Sequence, residues 1–137
     1  MSGSPSKVIK FEKRCTACRE IKPLDQFPAN GEYTHSYCIS CKNEDARRAK
    51  YKYRYGIEYD IVEKMYQDQG GKCKTCGKEI ALKGSKKENY KIAHLDHNHN
   101  TGKARALLCF QCNAIIGHCG ELEDVLFRII LYLRDHA

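Results

Sequence analysis

The chain has 137 residues, a formal net charge of +7, 42% apolar residues and no tryptophan, with a mean hydropathy of -0.65. That length suits one domain, but the composition supplies only a thin core, so another staple is expected. No stretch approaches the roughly 18 apolar residues of a membrane helix, which excludes a transmembrane segment.

Residues 1–6 are small and polar and read as a flexible tail. The first pattern after them is in the cysteines. Eight of the nine fall into Cys-x-x-Cys pairs, Cys15/Cys18, Cys38/Cys41, Cys73/Cys76 and Cys109/Cys112, leaving Cys119 over. A disulfide framework is disfavoured because no apolar secretory segment opens the sequence, the pairs are tight and the count is odd. Two thiols separated by two residues can turn toward one tetrahedral zinc. Sequential pairing makes one site of Cys15, Cys18, Cys38 and Cys41, with 19 residues between pairs, and a second of Cys73, Cys76, Cys109 and Cys112, with 32. The first separation is ordinary for a zinc ribbon; the second is long, as though something were built into the loop. Zinc held by four thiolates carries a net -2, so two sites bring the charge to about +3. A free Cys119 packing beside a helix is compatible with a reducing, cytoplasmic setting.

Residues 42–69 read as two linking helices. Lys42 to Tyr55 lacks Gly and Pro and carries Lys42, Arg47, Arg48, Lys50, Lys52 and Arg54, a concentration suited to a phosphate backbone, although a solvated helix face is its ordinary meaning. After Gly56, the stripe Ile57, Ile61 and Met65 predicts an amphipathic helix ended by Gly70 and Gly71. Gly84 to Asn89 reads as an exposed loop. Ile92 to Asp96 and Lys103 to Leu108 read as two short strands joined by turn residues, followed by a helix from Asn113 to near Gly117. Glu121 to Asp135 is the clearest helix, with Leu122, Val125, Leu126, Ile129, Ile130 and Leu133 on one face. Phe127 and Leu131 lie off that face; the surplus suits either a dimer partner or a well-covered core helix. Its acidic side, Glu121, Glu123 and Asp124, is expected to face away from DNA.

His94, Asp96, His97 and His99 fall within six positions, a combination rarely buried without a task. Eight cysteines already satisfy two zinc ions, which leaves these residues for other chemistry or for a polar surface hairpin. The string His94-Leu-Asp-His-Asn-His99, the run Thr101-Gly-Lys-Ala-Arg-Ala-Leu-Leu-Cys109 and Cys109-Phe-Gln-Cys-Asn113 resemble the phage recombination endonuclease VII family, of the His-Me finger (ββα-metal, HNH-like) nucleases. The likeness is most specific from Gly70 to about Gly117; Ala106 departs from it, where related sequences often have Gly.

The resemblance implies a small, zinc-stabilised α+β fold: a zinc ribbon (7–41), linking helices (42–69) and a His-Me finger core with a C-terminal helix (70–137). It implies that Asp96 and Asn113 hold one Mg2+, with Mn2+ an alternative, since hard oxygen ligands suit such ions. His97 is then the general base, because an ordinary imidazole is mostly neutral at pH 7. His99 could contact the scissile phosphate or be an exposed loop histidine, and His94 could orient Asp96 or pack. Lys103 and Arg105 join Arg47, Arg48, Lys50 and Arg54 as candidate DNA contacts. The expected function is a DNA endonuclease, either resolving branched or four-way junctions as a homodimer or acting as a sequence-specific or nicking nuclease of restriction or homing type; a non-catalytic zinc-finger DNA-binding module is the rival. One geometric difficulty stands: neighbours in a regular strand face opposite sides, so Asp96 and His97 need a bend to share a site.

Overall fold

Two clusters of four sulfur atoms organise the chain, and in each cluster the Sγ atoms all lie within 4.8 Å of one another. The computed structural model describes residues 11–84 and 91–137; the expected tail and nearly all of the expected 84–89 loop lie outside the described residues. Cys15, Cys18, Cys38 and Cys41 form one cluster, and Cys73, Cys76, Cys109 and Cys112 the other. None of these cysteines is in a disulfide. A tetrahedron with Zn–S bonds of 2.3 Å has S···S edges of about 3.8 Å. The observed separations are 3.8 Å for Cys15–Cys41 and 3.7 Å for Cys76–Cys109. Both quartets fit structural zinc, in sequential pairing.

The two sites are built alike. In each, the first pair sits in a tight knuckle. The Cys15 amide donates to the Glu20 carbonyl (2.9 Å) and the Arg19 amide returns to the Cys15 carbonyl (3.0 Å). Cys73, Gly77 and Lys78 repeat the pattern at 2.8 and 3.0 Å. The knuckle needs a left-handed residue after its second cysteine: Gly77 at φ 72°, and Arg19 at φ 66°, where a side chain is strained. In each, the second pair opens a helix. Helix α1 (Ile39–Tyr55) starts immediately after Cys38 and α3 (Phe110–His118) immediately after Cys109. Cys109 Sγ caps α3 by accepting from the Cys112 amide at 3.5 Å. Both helices therefore begin earlier than their apolar patterns suggest, because metal geometry rather than hydrophobic periodicity sets the start.

Burial pushes the Cys15 and Cys73 thiols up, but the knuckle amides aimed at each sulfur outweigh it and bring both down to about 6. Cys112 is pushed up to about 12 by burial and the neighbouring sulfurs, and Cys41 to about 12 by hydrogen bonding to Cys38 and by burial. Four crowded thiols cannot all ionise without a cation to balance them.

The chain divides into two compact units, Met1–Arg54 and Tyr55–Ala137. The linking helices thus part company, α1 falling with the ribbon and α2 with the core. In the first unit, β1 (Glu12–Arg14) pairs antiparallel with β2 (Ile21–Pro23), and β3 (Ala29–Asn30) with β4 (Tyr33–Thr34). Among the described residues its core is Phe27 packed with Cys15 and Cys38, with Tyr37 and Cys41 partly buried against them, and the Lys13 ammonium lies 4.8 Å from the Phe27 ring centre. So few apolar atoms would not hold a fold without the metal.

In the second unit, α2 (Tyr59–Asp68) buries Tyr59 and Val62 and ends at Gly70 and Gly71, both at positive φ, as its glycines predict. It packs beside a hairpin of β5 (His94–His97) and β6 (Ala104–Leu108), whose Leu95, Leu107 and Leu108 join Ile80 and Ala93 in the core. The outer edge of β6 has no strand partner. Gln69 takes that place: its amide nitrogen donates to the Leu107 carbonyl (2.9 Å) and its oxygen accepts from the Leu107 amide (2.9 Å). The same nitrogen also donates to the Lys72 carbonyl at 2.8 Å. Helix α4 (Glu123–Asp135) has no buried residue, so it is not a core helix; Phe127, Ile129, Ile130, Leu131 and Leu133 are all exposed.

Metal analysis should find two zinc ions per chain, and chelation should abolish the cooperative melt followed by circular dichroism. Because the first cysteine of each quartet ionises near 6 and protonation competes with metal, zinc affinity should fall more steeply with acidification below about pH 6 than above it. Arg19→Gly should raise stability by about 0.5–1 kcal/mol in denaturant titration, since it relieves a left-handed arginine. Gln69→Ala should cost about 1–3 kcal/mol, because it leaves the buried Leu107 amide without its acceptor, while the Leu107 carbonyl keeps the Lys74 amide at 3.1 Å.

Candidate active site

The hairpin resolves the difficulty of two neighbouring strand residues sharing one site. Asp96 pairs with Ala106 but His97 pairs with Ala104, a register shift that leaves Arg105 as an extra residue on β6. Such a bulge twists the strand and changes the aim of the side chains around it. Asp96 and His97 consequently line the same small cavity, of about 120 Å3, with His99 and Asn113. His94, Tyr55 and Glu121 complete its polar wall.

Each group is held by a different element. Asp96 lies in β5 and is 8% exposed. His97 ends that strand, with its ring centre 4.9 Å from that of His99 and 5.3 Å from that of Tyr55. His99 sits in the hairpin turn, which Asn98 shapes: its side-chain oxygen accepts from the Asn100 and Thr101 amides, both at 2.9 Å. Asn113 lies in the first turn of α3, its amide donating to the carbonyl of the zinc-site residue Cys109 at 3.1 Å. The second sulfur cluster thus fixes the helix that brings Asn113 to the hairpin. His94 lines the cavity while its ring packs 5.7 Å from that of Phe110.

A carboxylate and an amide oxygen facing one polar cavity suit a hard divalent cation such as Mg2+, which keeps several waters and takes few protein ligands. The donor set of Asp96 and Asn113 fits that requirement, with imidazoles adjacent for proton transfer.

Two residues have partners that the sequence did not suggest. Arg105, a candidate phosphate contact on an exposed strand face, grips Asp96 with two nitrogens: Nε to Oδ2 at 2.6 Å and Nη2 to Oδ1 at 2.9 Å. The bulge turns it toward the buried carboxylate, where a two-pronged bond is available. Hydrogen bonding to Asp96, with a further contribution from Glu121, drives the Arg105 pKa still higher than usual. Glu121, expected on the outer face of the last helix, precedes that helix and turns inward. Its Oε1 lies 2.9 Å from Arg105 Nη2, and its Oε2 accepts from the His99 amide at 3.4 Å. An acidic residue beside Glu123 and Asp124 looks like part of a polar helix face; only its backbone, at φ 60°, sets it apart. Tyr55 was also hidden among the aromatics of the basic helix. Of the other candidate contacts, Lys103, Arg48, Lys50 and Arg54 are exposed, whereas Arg47 is half-buried against Glu44 at 2.6 Å.

The chain is similar to several known proteins. The Gene 59 proteins of Mycobacterium phages D29 and L5 are 37% identical over 81 residues and 36% identical over 80 residues, in each case 58% of this chain. The matched stretch spans only 45% and 44% of those two relatives. Among solved structures, the ββα-Me type II restriction endonuclease Hpy99I aligns with 92% of this chain and 66% of its own, at 22% identity and a TM-score of 0.39. The sequence profile described as Recombination endonuclease VII matches residues 46–135, about two thirds of the chain and all of the hairpin, α3 and α4. On that match, the chain belongs to the Recombination endonuclease VII family.

Proposed function

We propose that this chain is a DNA endonuclease that hydrolyses phosphodiester bonds with one divalent cation, Mg2+, and a histidine general base. The observation that carries the reading is the convergence of Asp96, His97 and Asn113 on one cavity, brought about by a strand bulge and a zinc-anchored helix. Nothing in a purely structural hairpin calls for that convergence.

In this reading Asp96 and the side-chain oxygen of Asn113 hold the cation, which when bound stabilises charge on the phosphate and on the departing 3′ oxygen. His97 takes a proton from the attacking water, leaving a 5′-phosphate and a 3′-hydroxyl as products. His99, whose ring stands beside that of His97, contacts the scissile phosphate or the leaving group. The exposed cations of α1 (Arg48, Lys50, Arg54), Arg47 on the same helix, and Lys103 on the hairpin track the DNA backbone.

Between junction resolution and nicking, the exposed face of α4 favours the first. Resolving a four-way junction takes two coordinated cuts, and Phe127, Ile129, Ile130 and Leu133 supply the apolar surface that a second copy would cover. The setting is the cytoplasm of a phage-infected or bacterial cell; among the described residues no helix is long and apolar enough to cross a membrane.

Zinc-loaded protein should cut a labelled four-way junction in Mg2+ and not in EDTA, in preference to linear duplex. His97→Ala should slow the cut by a factor on the order of 10^2–10^4 while leaving binding to the junction intact. Equal DNA binding by both proteins, with no cutting in any divalent metal, would replace the enzyme with a zinc-finger binding module.

A further inference from the structure

Arg105 is bonded to two residues of the cavity wall, Asp96 and Glu121. Both oxygens of Asp96, the carboxylate assigned to the cation, are engaged by one guanidinium, at 2.6 and 2.9 Å. The Asp96 side chain is 11% exposed, so in the metal-free protein its charge needs this partner. A divalent cation arriving at Asp96 brings two positive charges next to the one already there. Left alone, that arrangement would repel the cation at contact distances, where screening by water is incomplete.

Glu121 answers the difficulty. Its Oε1 lies 2.9 Å from Arg105 Nη2, the nitrogen that also reaches Asp96 Oδ1, and its side chain is 14% exposed. Glu121 is held there at a backbone cost. It stands at φ 60°, directly after Gly120 at φ 61°, where its amide closes the end of α3 by donating to the Ile116 carbonyl at 3.1 Å. A non-glycine residue in the left-handed region is strained and persists where its surroundings hold it. The same carboxylate reaches the His99 amide at 3.4 Å, tying the hairpin turn to the start of α4.

We propose that Arg105 and Glu121 form a charge relay for metal loading, in which Arg105 is the counter-ion of Asp96 until a divalent cation binds and Glu121 then holds Arg105 in its place. Both are positioning residues that act through Asp96. The proposal deepens the one-metal endonuclease reading and rests on Asp96 being a cation ligand. It carries a sign that a structural ion pair does not. Removing Arg105 deletes a competing charge and tightens cation binding, whereas removing Glu121 leaves Arg105 on Asp96 and weakens it. Removing both restores near balance.

The test is Mn2+ binding by zinc-loaded protein without DNA, followed by electron paramagnetic resonance, for wild type, Asp96→Asn, Arg105→Gln, Glu121→Gln and the double variant. The expected result is loss of one Mn2+ in Asp96→Asn, about tenfold tighter binding in Arg105→Gln, about fivefold weaker binding in Glu121→Gln, and a double variant within about threefold of wild type. Melting of the zinc-loaded protein without added Mn2+ or Mg2+ provides a second readout. Arg105→Gln should melt lower than wild type, because Asp96 is left without its counter-ion, and saturating Mn2+ should raise its melting temperature by more than it raises that of wild type. Arg105→Gln that binds Mn2+ no more tightly than wild type, while Asp96→Asn still loses the ion, would overturn the relay and leave the metal site standing. Mn2+ binding indifferent to Asp96→Asn would overturn the relay and the one-metal reading together.

Discussion

The attraction between thiolates and a doubly charged soft cation is the constraint on which the rest of this structure depends. Each quartet gathers four ionisable sulfurs into a space where, without a cation, some must stay protonated. A zinc ion turns that frustration into the strongest local interaction in the molecule and fixes the direction of a helix at the same time. In the second unit that helix is α3, so the metal staple and the placement of Asn113 are one event. A hydrophobic contact of the same area would let the helix rotate or slide; a tetrahedron does not.

The two quartets share a design but not a consequence. Both join a knuckle to a helix start, and both put a left-handed residue after the second cysteine. The first encloses 19 residues and a minimal core around Phe27. The second encloses 32, which hold both strands of the hairpin and its turn, β6 ending directly before Cys109. Its loop is long because it holds most of the candidate site.

Inside that loop, charge rather than hydrophobicity sets the geometry. Leu95 and Leu107 anchor the hairpin in the core, and Gln69 closes its open edge with a side-chain amide in place of a third strand. The bulge at Arg105 breaks the strict alternation of the hairpin where Asp96 and His97 line one cavity. The acid–arginine–acid line from Asp96 through Arg105 to Glu121 links β5, β6 and the connection into α4, so the hairpin and the C-terminal segment are coupled by ion pairs.

The cysteine pairing, the helices around Ile61 and Ile129 and the hairpin were legible in the sequence from spacing and residue chemistry, whereas a shared site for Asp96, His97 and Asn113 was an expectation from the family resemblance alone. The register shift was not legible: a bulge depends on how two strands pair, and nothing in either strand alone declares it. Arg105 read as a surface cation because an arginine in an exposed strand usually is one; its partner, Asp96, is nine positions away and became available only when the bulge turned the two together. Glu121 was misread for a similar reason, since an acid flanked by acids signals a solvated face unless the backbone reverses beneath it. Local chemistry determined which groups this protein carries. Long-range pairing, which no local pattern encodes, decided which of them meet.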